Sequence, residues 1–521
     1  MNSTASSPSL SRTLPLRLPQ VCVALVGNDA GEMIQKAEAV VRENPFFEFR
    51  LDYLRQPAAA LPKLRRFLEY HPEAVAIGTC RRAPNGGRFR GSLSAQVELL
   101  LKAATAGCHM VDVELESASA LKPADLAKIR SRAAIVLSYH DFRATRKLEE
   151  TFARMQAIPA DFYKLVTTAT SLYDNVVMMK FLEQKSYTHS IVGLCMGEQG
   201  IISRLLSLRA GSAFTFAAAV TGEETAPGQI AARTLREVYR IGQLDAATKV
   251  YGVAGDPVLH SLSPVMMNAA FRRENVNAVY LALHAKTLPD LLACVRDIPI
   301  HGLSITMPYK EPVIEHLDNT DAITAKVGAC NTVVRAADGK LYGFNTDVAG
   351  IVSPLEQRLT LNGAKILVIG AGGAARAAVF GLKDRGAEIF IMNRTPATGQ
   401  KLARQAHARF VRRADLKKYS FDVIINATPI GMNGKQSPLT NKEIRAKYLF
   451  EMVYNVPETA LAKMARAQGV EVIPGTEMFV YQGARQFEIW TGKPAPLVEM
   501  QHVVNAALAA RAAVRTNGKK K

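Results

Sequence analysis

A lysine set in an apolar run, Phe162-Tyr163-Lys164-Leu165-Val166, is the side chain with the most chemistry to offer in the first half of this sequence. The pleat of a strand places Lys164 on one face with Phe162 and Val166. If that face is interior, an ammonium there is costly unless its pKa falls, and a lysine held neutral is a carbonyl nucleophile. The competing reading is a lysine that snorkels to the strand end or pairs with Glu48. Further chemistry is spread around it: Glu48, Arg50 and Asp52 in one β-like run, Arg81 after the next, Asp112 and Glu114 in a third, then His140 and Arg204.

The second half holds a different kind of site. An apolar run, Ile366–Ile369, leads into Gly370-Ala371-Gly372-Gly373-Ala374, then an Ala-rich helical segment, then a second run ending in Asn393-Arg394-Thr395. Glycines allow a sharp turn and close approach to a pyrophosphate, whose charge a helix N-terminus stabilises through its free N–H groups. An acidic residue at the end of the second strand, about 20 residues on, would hold a ribose 2′-hydroxyl. Here Asn393, Arg394 and Thr395 stand there instead, a cation with amide and hydroxyl neighbours that suits a 2′-phosphate. The reading is NADP(H). Upstream, Ser261 and Ser263 beside Pro264 suit a carboxylate. Lys310 with an aspartate such as Asp347 could share a proton for a reacting oxygen. Taken one at a time, these residues are equally explained as helix caps or a solvated lysine.

These groups need positioning, and the chain is long enough for several domains at 521 residues. From Val21, eight β-like runs alternate with helical segments: Val21–Val26, Phe47–Leu51, Ala74–Cys80, Met110–Leu115, Ala133–Tyr139, Asp161–Val166, Ser190–Leu194 and Ala213–Ala218. That alternation predicts a (β/α)8 barrel with its site at the C-terminal strand ends. A new β-run starts at Val250, so a boundary is expected near residue 247, with no long linker.

Composition limits the alternatives. With 48% hydrophobic and 21% charged residues the chain is an ordinary globular protein, without the ~20 unbroken apolar residues of a membrane helix. Its net charge of +19 is spread along the chain apart from Lys519-Lys520-Lys521, which argues against nucleic acid and for a basic surface that steers small anions. Six scattered cysteines with no CxxC predict free buried thiols and no metal site. Residues 1–17, Ser-rich and without an acid, read as a disordered leader. A cytoplasmic location is expected, with a plastid as the alternative if that leader is a transit peptide.

The strings EFRLD, TCR, LSYHDF, FYKLV, GEQGIISR, GSAFTF and TAPGQ, in that order over residues 20–240, resemble type I 3-dehydroquinate dehydratase. The resemblance implies a Schiff base at Lys164, His140 as general acid and base, and substrate contacts from Glu48, Arg50, Arg81, Arg204, Thr225 and Gln229. Asn85 stands where that family usually has a glutamate, which removes a negative charge near the expected base. Across residues 250–515, GDPVLHSLSP, SITMPYK, GACNTV, GFNTD, GAGGAAR, NATPIGM and GTEMFVYQGARQFEIWTG resemble shikimate dehydrogenase. This second resemblance implies Lys310 and Asp347 as the catalytic pair. It also implies substrate contacts from Ser261, Ser263, Thr306, Asn331, Tyr454 and Gln482. The cofactor would lie along Gly370, Ala371, Gly372, Gly373, Ala374, Asn393, Arg394, Thr395 and Met478.

The expected fold is α/β throughout: a (β/α)8 barrel followed by a two-lobed unit with a Rossmann-type NADP-binding domain. The expected division is 1–17 leader, 18–246 barrel, 247–350 substrate-binding domain, 351–490 NADP-binding domain, and 491–521 a C-terminal helix returning to the substrate domain with a basic tail. The whole resembles the fused dehydratase–dehydrogenases, which make 3-dehydroshikimate and then reduce it to shikimate. Quinate specificity in the second half, or a non-catalytic regulator retaining both folds, are the rival readings. Lys164, His140, Lys310 and Asp347 are all present, which argues for an enzyme.

Overall fold

A computed structural model describes residues 14, 15, 17–298, 300–454, 456 and 458–517, with side chains to residue 513. The expected leader falls mostly on residues 1–13 and 16, outside the described residues, as does the Lys519–Lys521 tail. The chain forms two compact units. One runs to Ala247 and takes in Leu283–Ile298; the other holds Thr248–Ala282 and the chain from residue 300.

The first unit contains eight strands: β1 (Val21–Leu25), β2 (Phe46–Arg50), β3 (Val75–Thr79), β4 (Met110–Glu114), β5 (Ala134–His140), β6 (Phe162–Thr168), β7 (Ile191–Met196) and β8 (Thr215–Ala218). They lie in the order β7-β6-β5-β4-β3-β2-β1-β8. The pairings from β1 through β7, and of β1 with β8, are parallel. Beside the β7–β8 seam the Ala213 N–H donates to the Ile191 carbonyl at 2.8 Å. This is the barrel that the alternation predicts, with strand ends moved by a residue or two.

Period two sorts each strand. Phe46, Met110, Val136, Phe162, Val192, Phe214 and Phe216 pack together as an apolar plug. One pleat step further along the same strand faces come Glu48, Asp112, Ser138 and Lys164, followed by Arg50, Glu114 and His140. Between them, Phe47 and Phe49 turn to the outer layer against Phe67. The apolar plug therefore closes one end of the barrel and leaves the polar layer at the C-terminal strand ends.

A second sheet is formed by β9 (Lys249–Gly255), β10 (Ala278–His284), β11 (Ile300–Ile305), β12 (Asn319–Thr320), β13 (Thr332–Arg335) and β14 (Leu341–Phe344), ordered β10-β9-β11-β13-β14-β12. It is mixed, since β13 runs antiparallel to both β11 and β14. Its core joins Tyr251, Met266, Phe271 and Tyr280 to Phe479, Phe487 and Trp490, and also to Met500 and Val504 of the helix Leu497–Asn517.

The remaining strands are β15 (Lys365–Ile369), β16 (Glu388–Met392), β17 (Arg409–Phe410), β18 (Phe421–Asn426), β19 (Ala446–Glu451) and β20 (Glu471–Pro474). They form a parallel sheet in the order β17-β16-β15-β18-β19-β20, with apolar layers on both faces. Chain order thus reverses between β15 and β18. A crevice opens at the carboxyl ends of strands at such a switch point, and ligands bind there.

Candidate active sites

Lys164 lies at the centre of the polar layer in the barrel. It is 3% exposed, and its Nζ lies 3.0 Å from Asp112 Oδ2 and 3.3 Å from Glu48 Oε1. The Phe216 ring covers it, with Nζ 4.0 Å from the centroid. The surroundings are therefore not simply apolar. Glu48, whose pairing the sequence left open beside a neutral lysine, is in reach of Nζ, and Asp112 stands nearer. Arg81 Nη2 reaches the same Asp112 oxygen at 3.2 Å, Ser138 Oγ donates to Asp112 Oδ1 at 2.6 Å, and Thr79 Oγ1 donates to Glu48 at 3.0 Å.

Asp112 is buried, which on its own would raise its pKa. Lys164, Arg81 and His140, with the Ser138 hydroxyl, outweigh that and hold the carboxyl well below its usual range. For His140 the balance goes the other way from a typical imidazole beside a carboxylate. Burial first, then Arg81 and Lys164, push its pKa well below the usual value, with Asp112 opposing. The imidazole is therefore neutral at neutral pH and able to take a proton. Its ring stacks on Phe142, with centroids 5.9 Å apart and planes at 16°.

The remaining residues expected at this site are arranged around these. Arg50 forms a two-pronged pair with Asp52 at 2.9 and 2.8 Å, so that guanidinium is already oriented. Arg204 donates to the Pro227 carbonyl at 3.1 Å, which ties it to the loop where Thr225 Oγ1 donates to Gln229 Oε1 at 3.1 Å. The Nε–H groups of Arg81 and Arg204 are buried without a partner among the described residues. Buried donors left open in this way suit an anionic ligand. Asn85 does not lie free, since its Nδ2 donates to Glu116 Oε2 at 2.7 Å. Sequence reasoning left Asp112, Ser138 and Phe216 without a role, although Asp112 had been placed within a β-like run, where period two could have given its face.

The second site lies within the second unit. Lys310, in the loop after β11, sets its Nζ 2.5 Å from Oδ2 of Asp347, the first residue of the helix Asp347–Glu356. Asn331 Nδ2 donates to the other oxygen of Asp347 at 2.8 Å and reaches Gln482 Oε1 at 3.4 Å. Its own Oδ1 accepts from the Thr346 N–H at 2.7 Å, which fixes the amide. The structure thus brings Lys310, Asp347, Asn331 and Gln482 together. Ser261 Oγ accepts from the Ser263 N–H at 3.1 Å and donates to Ser263 Oγ at 3.1 Å, at the start of the helix Ser263–Arg273. The Thr306 N–H donates to Ala254 at 3.0 Å. Tyr454 stacks on Phe479 with centroids 5.0 Å apart.

At the switch point, Gly370 has φ +121°, and a Cβ there would lie 3.0 Å from the Ala427 carbonyl oxygen. Nothing lies within 4 Å of the place a Cβ on Gly372 would occupy. The helix Gly373–Lys383 starts there with no side-chain cap, so its first N–H groups are open. A Cβ on Gly373 would come 4.0 Å from Lys310 Cδ, which puts the turn beside the Lys310–Asp347 pair. This cradle fits a dinucleotide. Past β16, Asn393 Nδ2 donates to the Thr395 carbonyl at 3.0 Å, and Arg394 and Thr395 are exposed. Ala371 and Ala374 are half-buried at the turn, and Met478 and Ala371 both pack partly against the same apolar core.

Comparisons with known families cover both parts of the chain. Residues 21–246 match type I 3-dehydroquinase, residues 253–333 the shikimate dehydrogenase substrate-binding domain, residues 354–446 shikimate/quinate 5-dehydrogenase, and residues 475–504 the shikimate 5′-dehydrogenase C-terminal domain. The chloroplastic bifunctional 3-dehydroquinate dehydratase/shikimate dehydrogenase of Arabidopsis thaliana is 32% identical over 501 residues, covering 91% of this chain and 82% of that one. A shikimate dehydrogenase (NADP(+)) of Thermococcus kodakarensis is 40% identical over 254 residues, 48% of this chain and 93% of that one. A crystal structure of Thermus thermophilus shikimate 5-dehydrogenase with NADP(H) and shikimate is 32% identical, covers 50% of this chain and 100% of that one, and has a TM-score of 0.47. With a dehydratase barrel and a dehydrogenase unit in one polypeptide, the chain belongs to the family of bifunctional 3-dehydroquinate dehydratase/shikimate dehydrogenases.

Proposed function

We propose that the barrel dehydrates 3-dehydroquinate to 3-dehydroshikimate through an imine on Lys164. The observation that carries this is Lys164 Nζ held in the polar layer with His140 kept neutral close by. The imine acidifies the C–H next to the former ketone, His140 removes that proton, and the same imidazole then protonates the leaving hydroxyl. Arg50, Arg81, Arg204, Thr225, Gln229 and Glu48 bind and orient the substrate, the open Nε–H groups of Arg81 and Arg204 meeting its anionic or hydroxyl oxygens.

The second unit reduces 3-dehydroshikimate to shikimate. When bound, NADP(H) supplies the hydride. Ser261 and Ser263 receive the substrate carboxylate, while Thr306, Asn331, Tyr454 and Gln482 fix the ring. Lys310, with Asp347 2.5 Å away, gives the proton to the oxygen that is being reduced. Gly370, Ala371, Gly372, Gly373 and Ala374 would cradle the cofactor's pyrophosphate, Asn393, Arg394 and Thr395 would hold the 2′-phosphate, and Met478 would be a further cofactor contact. The product of the first site is the substrate of the second, which gives the fusion its reason.

Among the described residues no helix is long and apolar enough to cross a membrane. We place the protein in the cytoplasm, with a plastid as the alternative that the chloroplastic Arabidopsis relative supports.

The test is the purified chain with 3-dehydroquinate and NADPH, following the enone absorbance, cofactor oxidation and product identity together. Shikimate as the end product supports the whole reading. Enone without cofactor oxidation removes the second half of it. Turnover of quinate with NADP in preference to shikimate shifts the second half to the quinate reading.

A further inference from the structure

Imine formation poses a proton problem that the geometry around Lys164 answers. An ammonium has three N–H protons and the iminium has one, so two must travel to the ketone oxygen that leaves as water. A group in contact with Nζ is needed to carry them, and it must end as an anion beside the new cation. We propose that Asp112 is a catalytic residue of the dehydratase, carrying both protons from Lys164 Nζ to the departing oxygen and remaining as counter-ion of the iminium.

The steps balance. Nζ gives one proton to Asp112 Oδ2, 3.0 Å away, and the free amine forms the C–N bond as the carbonyl electron pair moves to oxygen. That oxygen takes the proton back from Asp112 and becomes a hydroxyl. The nitrogen, still cationic, returns a second proton to Asp112. Its lone pair then forms the C=N bond, and the hydroxyl leaves as water with the proton from Asp112. Three N–H protons become one, two reach the oxygen, and Asp112 is a carboxylate again.

Three observations favour Asp112 over the other groups near Nζ. Its contact with Nζ is shorter than that of Glu48, which stands at 3.3 Å. Ser138 holds the Oδ1 oxygen at 2.6 Å, which aims Oδ2 at Lys164 and Arg81. The cation that most depresses the Asp112 carboxyl is Lys164 itself, so transfer of the lysine proton removes the main obstacle to receiving it. His140 is thereby left free for the C–H proton. Asp112 is 1% exposed, so bulk water does not compete for the relay.

The inference rests on Lys164 as the imine-forming residue. If borohydride leaves no adduct on wild-type Lys164 with 3-dehydroshikimate, that reading fails before this one is reached. Given the adduct, the test is its rate of formation in Asp112→Asn, a change that keeps volume and the acceptor for Ser138. Trapping should slow by about 10²–10⁴-fold, while reduction of 3-dehydroshikimate by the same polypeptide is unchanged. Glu48→Gln should slow it less, and His140→Ala should trap at a rate close to wild type while failing to dehydrate. Trapping at the wild-type rate in Asp112→Asn overturns the proposal, as does a loss in His140→Ala as deep as in Asp112→Asn. Should Asp112→Asn unfold the barrel, Ser138→Ala keeps the carboxylate but frees its Oδ1, and trapping must then slow by about tenfold. No change there overturns the proposal as well.

Discussion

Lys310 Nζ and Asp347 Oδ2 stand 2.5 Å apart although 37 positions separate them in the chain. Asn331 holds the other carboxylate oxygen, so the pair has a fixed direction. Losing a positioned proton donor costs about 10²–10⁴-fold in rate. Lys310→Ala should therefore reduce kcat for 3-dehydroshikimate by that factor and leave dehydration of 3-dehydroquinate within twofold of wild type. Measuring both activities on one preparation decides it. Loss of both in a folded protein would end the two-site model.

Lys164→Ala gives the mirror result. Dehydration should vanish and reduction of 3-dehydroshikimate persist. In the wild type, borohydride added with substrate should leave its covalent adduct on the peptide holding Lys164. An adduct on any other lysine contradicts the assignment.

Arg394 is exposed just past β16, where a 2′-phosphate would lie. A charge-assisted hydrogen bond is worth about 1.5–3 kcal/mol, and each ~1.4 kcal/mol is tenfold. Arg394→Ala should weaken NADPH by roughly 10–150-fold and change NADH little. Arg394→Asp should go further by repelling the phosphate and offering NADH a ribose partner. Equal losses for both cofactors, read as kcat/KM, remove Arg394 from the site.

His140 sets the acid limb of the dehydratase. Burial and the cations Arg81 and Lys164 depress its pKa, so the imidazole stays a base below the ordinary histidine value of about 6.5. The dehydratase kcat/KM should hold its plateau through that pH and fall only at lower values. Stability follows the same sign. Below about 6.5 the unfolded chain binds this proton and the folded one does not, so the contribution of His140 is full above that pH and is lost as pH falls. His140→Gln should make urea unfolding less sensitive to pH below about 6.5. An unchanged slope there would falsify the assignment.

Much of the fold was legible in the residue pattern alone. Eight β-like runs separated by helical segments specified the barrel, because a period of two and a period of 3.6 cannot be mistaken over so many repeats. The same period put Lys164 on one strand face with Phe162 and Val166, and the runs placed Glu48 and Asp112 within strands. The glycine turn at Gly370–Gly373 was legible because only glycine combines φ of +121° with 3.0 Å clearance to a neighbouring carbonyl. Ordered motifs then carried the family.

What the pattern could not supply is which buried groups meet. Pairing of Lys164 with Glu48 was one of the alternatives the sequence left open, yet the closer carboxylate is Asp112, 52 positions away. That choice depends on strand order and register: Ser138 pairs with Lys164 across β5 and β6, and Val136 with Asp112 across β5 and β4. The reversal of strand order between β15 and β18, which opens the dinucleotide crevice, is likewise absent from any local run. Periodicity is a property of neighbours in the chain, and it states which face a side chain takes. A charge pair is a property of neighbours in space, created only when the strands close and water is expelled from between them.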